Sequence, residues 1–468
     1  MSYSKRWTAL AVLSATGLMT VLDGSIVTVA MPAIQADVGF TAAGLSWMVN
    51  AYLIPFGGLL LLAGRLGDLL GRRQMFLAGN AVFTGASLLA GLATGPGLLI
   101  AARFLQGVGS ALASAVVLGI LVTLFTDPVE RGKAIAIFSF TGAAGASIGQ
   151  VLGGVLTDVL SWPWIFFINV PIGVATIALA LVALPADRGA GWSRGTDVLG
   201  AVLVTSGLML GIYTIVTNGP YAWLTGTVAA ALLAGFVGRQ VTAREPLMPL
   251  RIFRSRDVTG ANLAQMLSLS GMFAFQVLVA LHMQKVLGYG ALETGLAMLP
   301  AAVGIGVVSL FVSAPLSARF GARTVLRAGL LLLIAAMALL TRIPVQASYV
   351  TDLLPVMLLI SGGGLVLPAL ATLGMSGAED GDAGLASGLF NTTQQVGMAL
   401  GVAVLSTLAA TRTDHLLTAG ADQATALTGG YRLAFATSAG LLATAFLVSV
   451  VVLRRPAGTT APDPVPAT

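Results

Sequence analysis

The sequence contains no cysteine and few charged residues, and both absences exclude large classes of protein. Without cysteine, the chain of 468 residues has no disulfides, no thiolate chemistry and no cysteine-ligated metal. Charged residues make up 9% of the chain, whereas they make up about a quarter of a soluble domain. With 57% hydrophobic residues and a mean hydropathy of +0.94, the composition predicts a polytopic membrane protein.

Lysine and histidine are also scarce, which argues against ATP as the direct energy source and against a metal centre. Lysine occurs only at positions 5, 133 and 285, and none of the three lies in the Gly-Lys-Ser or Gly-Lys-Thr context of a phosphate-binding loop. The two histidines, His282 and His415, are too far apart in the sequence to indicate a metal centre. The net charge of +6 is spread over loops, unlike the clustered basic face of a nucleic-acid-binding protein. We therefore expect no enzyme activity, no cofactor, no metal and no nucleic-acid partner.

Long apolar runs recur along the whole chain, and each is long enough to cross a bilayer as a helix of about 20 residues. They predict an all-α integral membrane protein with short connections, since only helices or closed barrels satisfy their backbone groups in lipid. Fourteen runs are predicted, approximately at 7–30, 44–64, 74–93, 98–124, 133–156, 163–184, 198–217, 223–241, 259–285, 293–312, 323–342, 350–373, 384–409 and 431–453.

The distribution of lysine and arginine predicts the orientation, because short cytoplasmic loops collect these residues. If the runs alternate in direction, nineteen of the 24 basic residues lie on one side of the membrane and four on the other, with Arg103 inside the bilayer. This places both termini in the cytoplasm and requires an even number of crossings, which twelve and fourteen both satisfy. We expect a multi-pass protein of the plasma membrane, the inner membrane in a bacterium, that functions as a monomer.

Two groups of six runs flank a central pair, and parts of the two groups match each other. Gly145 and Gly149 fall opposite Gly397 and Gly401 at an offset of 252 residues. A repeat with a site between its halves is a transporter architecture. The predicted domains are an N-terminal six-helix bundle at 1–185, two additional helices with linkers at 186–256, a C-terminal six-helix bundle at 257–455, and a disordered cytoplasmic tail at 456–468.

A charged, glycine-rich loop from Gly64 to Arg73 lies between the second and third runs. Its degenerate copy places Leu66, Gly71, Arg73 and Gly79 opposite Leu316, Gly321, Arg323 and Gly329. We expect Asp68 to accept hydrogen bonds from a neighbouring helix N-terminus or to pair with Arg131. In the alternative interpretation, the arginines of the loop, Arg72 and Arg73 among them, only set the topology.

Asp23 is the only acid that the sequence places deep within a span, about 16 residues into the first run. An ionised carboxylate at that depth costs several kcal/mol, so it should face a cavity or a partner, as a proton carrier does. The alternative is a structural acid held by hydrogen bonds near a helix end. Arg103 lies about six residues, or about 9 Å, inside the outer surface. There it can satisfy its charge by snorkelling to the interface.

Three motifs of the sequence resemble those of a known family, the fourteen-helix drug/proton antiporters of the major facilitator superfamily. Residues 22–32 (LDGSIVTVAMP) are similar to the family's first-helix signature, the loop Gly64 to Arg73 to the superfamily's signature loop, and residues 103–107 (RFLQG) to its fourth-helix signature. The resemblance implies that Arg103 acts near the proton acid, with Gln106 on the same helical face. It also implies that the Asp68 charge network latches the cytoplasmic face.

The fifth run departs from the family pattern, because Gln150 replaces the proline of the antiporter signature. Without that proline the fifth helix should be straighter. Small residues along this helix should pack closely against a neighbour. The glycines predicted for this packing are Gly142, Gly145, Gly149, Gly153 and Gly154.

Polar and aromatic residues at membrane depth are candidates for a substrate cavity, which is usually apolar with a few orienting groups. Each one alone is more often an interhelical hydrogen bond. The candidates are Trp47, Asn50, Tyr52, Gln106, Gln150, Gln276, Asn391, Gln394 and Gln395.

The function that these features favour is export of hydrophobic or amphipathic small molecules, such as drugs, antibiotics and dyes, in exchange for protons. Asp23 and Arg103 are the predicted coupling residues, and a proton gradient is the predicted energy source. A proton-coupled transporter of a polar metabolite is the alternative, and scarce charge in the apolar runs argues against it. A third possibility is a membrane-embedded enzyme or channel. The sequence has no catalytic constellation or filter sequence that supports it.

The topology is testable because the chain has no native cysteine. Gly219 lies in the charge-poor turn between the two central runs, which we expect outside the cell. A Gly219→Cys variant in intact cells should therefore react with a membrane-impermeant maleimide. Labelling by permeant reagents alone would show that the central pair is misassigned.

Overall fold

The computed structural model describes residues 3–41, 44–187, 189, 197–217, 219–243, 246–247, 250–376 and 383–453. Throughout these ranges the regular structure is helical and contains no β-strand. Eleven helices or continuous helical runs in this part of the chain are long and apolar enough to cross a membrane. The prediction of an all-α membrane protein is therefore confirmed.

The first half of the chain forms a bundle of long helices separated by short turns. Gly71 adopts a φ of 108° between the second and third helices, a conformation that favours glycine. Pro96 begins the fourth helix, where its missing N–H removes no helical hydrogen bond. The helices are α1 (Tyr3–Val38), α2 (Trp47–Leu70), α3 (Arg72–Gly91), α4 (Pro96–Leu124), α5 (Pro128–Val159), α6 (Trp164–Phe167) and α7 (Asn169–Ala183).

Two further helices, α8 (Val198–Thr217) and α9 (Ala222–Thr242), form an antiparallel hairpin after the first bundle. Asp197 closes its open end, because its carboxylate accepts from Arg239 Nε at 3.0 Å and from Gln240 Nε2 at 2.9 Å. The backbone N–H of Gly200 donates to the same carboxylate at 2.9 Å. These bonds hold the pKa of Asp197 below its usual value against the opposing effect of burial, so the acid stays ionised beside Arg239.

The second half repeats the pattern of long antiparallel helices, with two of them interrupted. A π-helical turn, Val308–Val312, joins two segments into one run, Ala291–Phe320. The run Tyr349–Gly374 begins with a π-helical turn, Tyr349–Leu353, and a 3-10 turn, Ile360–Gly362, joins its two α-helical segments. The helices are α10 (Arg256–Lys285), α11 (Ala291–Val307), α12 (Ser313–Phe320), α13 (Ala322–Leu340), α14 (Leu354–Leu359), α15 (Gly363–Ser376), α16 (Ala383–Thr418) and α17 (Gln423–Val451).

The helix α5 carries a glycine face toward α1. A Cβ at Gly149 would lie 2.0 Å from Ser25 Oγ, and one at Gly153 would lie 2.7 Å from Ile26 O. Gly145 meets the backbone of Leu18 in the same way. Gly154 faces the second half instead, against the start of α11. The surroundings of Gly142 lie outside the described residues, and α5 contains no interior proline.

The matching glycines of the second half make the same contacts. Ser25 Oγ of α1 donates to Gly145 O of α5 at 3.4 Å, and Ser270 Oγ of α10 donates to Gly397 O of α16 at 2.8 Å. A Cβ at Gly401 would lie 2.2 Å from Ser270 O. The glycine pattern in the sequence therefore corresponds to one helix-packing geometry used twice.

The two loop copies also correspond in space. Gly321, like Gly71, has a positive φ, 82°, and joins two helices. Gly79 lies so close to α4 that a Cβ would be 2.4 Å from Ala113 N. Gly329 makes a similar contact, because a Cβ there would be 2.8 Å from Gly362 O. The repeat thus includes the glycine turn between two helices and the close helix contact that follows it.

The hairpin of α8 and α9 packs on both halves through α8. On α2, Gly58 lies against Thr205, and the Trp47 and Tyr213 rings are 6.5 Å apart. The same helix contacts α16 of the second half. The helix α9 packs mainly on α8 and exposes large apolar side chains, including Trp223, along its outer face.

The glycine packing predicts an unequal response to alanine at two positions of the first bundle. Gly149→Ala should lower stability by about 1–3 kcal/mol, because the new methyl group overlaps α1. Gly85→Ala is the control, because a Cβ there meets nothing within 4 Å and alanine favours the helix. Thermal unfolding of the purified protein in detergent checks the difference. Equal melting temperatures for the two variants would contradict the packing argument.

Candidate functional site

A buried polar cluster lies within the first bundle, around Asp23 of α1. The residue is 0% exposed, and its carboxylate accepts from three side chains. Arg103 Nη1 donates to Oδ2, while Gln106 Nε2 and Asn169 Nδ2 donate to Oδ1 at 3.1 and 2.8 Å. Three side chains from α4 and α7 therefore meet at this carboxylate of α1.

Arg103 is fully enclosed and does not snorkel, since it is 1% exposed. Its Nε donates to Met48 O of α2 at 2.9 Å, and its Nη1 also donates to Gln106 Oε1 at 2.9 Å. The guanidinium carbon lies 4.5 Å from the centroid of the Tyr52 ring and 5.9 Å from that of Phe166. Ion pair, carbonyl and aromatic faces together replace the water that this cation loses.

A second layer of hydrogen bonds fixes the residues around the ion pair. Gln106 Nε2 also donates to Ser87 Oγ of α3 at 2.8 Å. The Tyr52 hydroxyl donates to Thr20 O at 3.2 Å and shares a hydrogen bond of 3.0 Å with Ser110 Oγ. The network therefore reaches α1, α2, α3, α4 and α7, and it sets the positions of these helices relative to one another.

The chemistry of this cluster is that of a neutralised charge pair. Asp23 has no direct contact with solvent in the form described here. A proton on Asp23 would remove the charge that compensates Arg103, and an uncompensated buried cation is strongly unfavourable. The two charges therefore need to stay together for as long as both are buried.

The signature loop is held by a carboxylate that the sequence analysis did not select. Asp187, in the linker after α7, accepts from the backbone N–H groups of Arg72 and Arg73 at 2.5 and 3.1 Å and so caps α3. The Arg72 side chain donates to Gly119 O at 2.9 Å, and the Arg73 side chain donates to Leu181 O at 2.5 Å. Both arginines therefore make structural contacts within the first bundle.

The structure describes the loop glycines but not the predicted ion pair of the loop. The side chains of Asp68 and Arg131 lie outside the described residues. Gly64 has nothing within 4 Å of a would-be Cβ, whereas a Cβ at Gly71 would lie 3.1 Å from Asp187 O. The linker thus runs directly over the end of α2.

The predicted cavity residues fall into three groups in the structure. Tyr52 and Gln106 belong to the Asp23 cluster, and Trp47 packs on α8. Asn50, Gln150 and Gln395 are buried, and atoms of their side-chain amides find no hydrogen-bond partner among the described residues. The remaining candidates are half-buried, namely Gln276, Asn391 and Gln394.

Asn169 is a site residue that the sequence analysis missed. It is an amide inside the apolar run 163–184 and is 0% exposed, so the criterion that selected Asn50 also applied to it. Asp187 gave no such signal, because a carboxylate in a polar linker is ordinary. Only the fold brings it to the start of α3.

Comparison with known proteins relates the chain to membrane transporters. The family model described as Major Facilitator Superfamily matches residues 13–402. The puromycin resistance protein of Streptomyces alboniger is 37% identical over 96% of this chain and 92% of that protein. The cephamycin export protein of Amycolatopsis lactamdurans is 39% identical over 86% of this chain and 84% of that protein.

A solved structure supports the fold independently of close sequence similarity. A bacterial homologue of the human lysosomal transporter Spinster, crystallised in an inward-facing and unoccupied conformation, aligns with a TM-score of 0.68. The alignment covers 98% of this chain and 100% of that chain at 16% identity. At that identity the likeness establishes the fold alone.

The cluster geometry predicts that Asn169 and Asp23 are energetically coupled. Asn169→Ala should cost about 1–3 kcal/mol of stability, because a hydrogen bond to a buried charge is lost. In an Asp23→Asn background the same change should cost less, by about 0.5–3 kcal/mol, as for residues in one network.

Denaturant or thermal unfolding of the four proteins of this double-mutant cycle measures the coupling. Asn80→Ala is the matched control. Asn80 is buried in the same bundle and bonds Thr16 Oγ1 and Phe76 O, at 3.1 and 2.9 Å. Its effect should be the same in both backgrounds, and additive effects for Asn169 would sink the assignment.

Proposed function

The chain belongs to the major facilitator superfamily, and from this premise we propose that it is a proton-coupled exporter of hydrophobic or amphipathic small molecules. It would work by alternating access, in which two halves rock around a central site. Relatives that align along most of the chain are an antibiotic resistance protein and an antibiotic export protein, which favours efflux over uptake.

The observation that carries the proton coupling is the sealed Asp23–Arg103 pair. A buried charge pair is a weak source of stability, since its desolvation cost offsets much of its attraction. Its placement in an apolar bundle is therefore better accounted for by a role in the cycle. Asp23 would accept a proton in one conformation and release it in the other, with Arg103 compensating its charge between the two events.

The proposed topology has fourteen crossings with both termini in the cytoplasm of a cell whose inner or plasma membrane holds the protein. To the eleven apolar helical runs it adds α2, α3 and α5, which have 24, 20 and 32 residues. Each is long enough to span about 30 Å at 1.5 Å per residue. The proton gradient would supply the energy without a cofactor, and the working unit would be a monomer.

The substrate class follows from the polar groups that remain after the Asp23 cluster is set aside. Asn50, Gln150 and Gln395 offer neutral amides, whereas the deep acid and base neutralise each other. Neutral amides in apolar surroundings suit compounds with few charges. Sugars and amino acids, the substrates of the alternative function, need more fixed polar partners.

Proton coupling predicts that Asp23→Asn abolishes uphill export. The amide keeps the shape and the hydrogen-bonding capacity of the side chain but no longer titrates. Substrate binding should persist, and accumulation against a gradient should fall to the level of empty liposomes. Export of dyes and antibiotics from proteoliposomes under an imposed pH gradient measures this.

Asp257→Asn is the matched control, because Asp257 also pairs with an arginine, Arg323 at 2.9 Å, but at the partly exposed start of α10. It should retain gradient-driven export. Active, pH-dependent export by Asp23→Asn would remove Asp23 from the coupling role. Equal export by the wild type with and without a pH gradient would overturn proton coupling itself.

A further inference from the structure

The two halves of the molecule contact each other between α2 and α16 and also at one face of the bundle, where α1, α5 and α10 end and α11 begins. Three hydrogen bonds join the halves at that face. Gln284 Nε2 of α10 donates to Val29 O of α1 at 3.0 Å. Lys285 Nζ, on the same helix, donates to Gln35 Oε1 near the end of α1. These two hydrogen bonds join the halves through neutral acceptors.

A third connection joins α5 to α11 through an acid. Asp158, in the last turn of α5, accepts from the backbone N–H of Leu292 at 2.7 Å. The two helices approach closely behind this bond. A Cβ at Gly154 would lie 2.6 Å from Leu292 Cα, and a Cβ at Gly295 would lie 2.5 Å from Gln150 O. The carboxylate therefore sits at the end of a seam that is packed backbone to backbone.

We propose that Asp158 is the latch residue of this closed face. It binds the first half to the second in the form described here and must separate from α11 when the face opens. The N–H groups of a first helical turn lack partners within the helix, and a carboxylate placed there also meets the positive end of the helix dipole. Two of the three connections are charge-assisted and therefore stronger, through the Lys285 ammonium and the Asp158 carboxylate. Of these two, Asp158 is the one that bonds a backbone N–H at the start of a helix.

A second acid at the start of α11 does not share this role. Glu293 accepts from Gly290 N at 3.1 Å, and both residues belong to the second half. That bond persists whether the halves are together or apart. A group shifts a conformational equilibrium only through interactions that differ between the two states. Asp158 meets this condition and Glu293 does not.

The opening of this face and its assignment to the cell exterior rest on the alternating access of the proposed function, but the test of the latch does not require transport. Spin labels at Ser161→Cys and Ala419→Cys would report the opening. Both positions are exposed at this face, one in each half, and the chain has no other cysteine. Double electron–electron resonance in lipid nanodiscs then gives the ratio of closed to open molecules.

Asp158→Asn should lower the closed-to-open ratio by about three- to tenfold, as expected for the loss of one charged cap. Asp158→Glu, which keeps the charge on a longer arm, should retain more of the closed form than Asn. Because both substitutions are at an exposed helix end, the labelled protein should fold, and its melting temperature confirms that it has.

Asp422→Asn is the matched control, since Asp422 is an exposed cap at the start of α17, with Thr425 N at 3.0 Å from Oδ1, and both residues belong to the second half. It should leave the distance distribution unchanged. An Asp158→Asn distribution that matches that of Asp422→Asn would overturn the latch. Transport assays on the same proteins separate the two proposals, since an inactive wild type with an Asp158-dependent distance refutes the export function alone.

Discussion

The ion pair between Asp23 and Arg103 is the interaction on which the first half of the molecule depends. Two opposite charges lie in apolar surroundings, where each alone costs several kcal/mol, and polar groups from several helices bond to them. The amides of Gln106 and Asn169 occupy the remaining carboxylate positions, and the Met48 carbonyl takes another guanidinium N–H. The helices of this bundle are therefore held by one charge-balanced centre as well as by apolar packing.

The second half is built on the same close contacts without that charge. Ser25 and Ser270 make equivalent bonds to Gly145 and Gly397, so the position two residues before Ser270 corresponds to Asp23. It is occupied by Ser268, whose hydroxyl donates to a carbonyl within its own helix. Glycine contacts thus define the shared architecture of the halves, and a charged centre at this position distinguishes the first.

The sequence predicts the helical runs well, because a bilayer requires about 20 apolar residues whatever their order. It places their ends poorly. The run predicted at 293–312 continues to Phe320, since polar residues lower the hydropathy while a π-turn lets the helix proceed. Likewise, the helix α1 extends from Tyr3 to Val38, beyond both ends of the apolar run predicted at 7–30.

The sequence indicates individual residues of the site, but it does not indicate which of them contact one another. Asp23, Arg103 and Gln106 stand out as polar groups in apolar runs, yet local pattern contains no information on partners 80 or more positions apart. For that reason the sequence predicts Tyr52 and Gln106 as cavity candidates without indicating that they contact the ion pair. Asp187 shows the limit most clearly, because its role exists only where the linker crosses the start of α3.

The position of α8 would constrain how the two halves move in the proposed alternating access. The helix touches α2 of the first half and α16 of the second, and it is bonded to neither through an ion pair among the described residues. When one body rotates against another, displacement grows with distance from the rotation axis. A helix that remains in contact with both must lie near that axis or slide. The side chains at the Gly58–Thr205 contact are small, which would let α8 slide along α2. The helix would then stay in contact with both halves, at the edge of the interface between them, while they move.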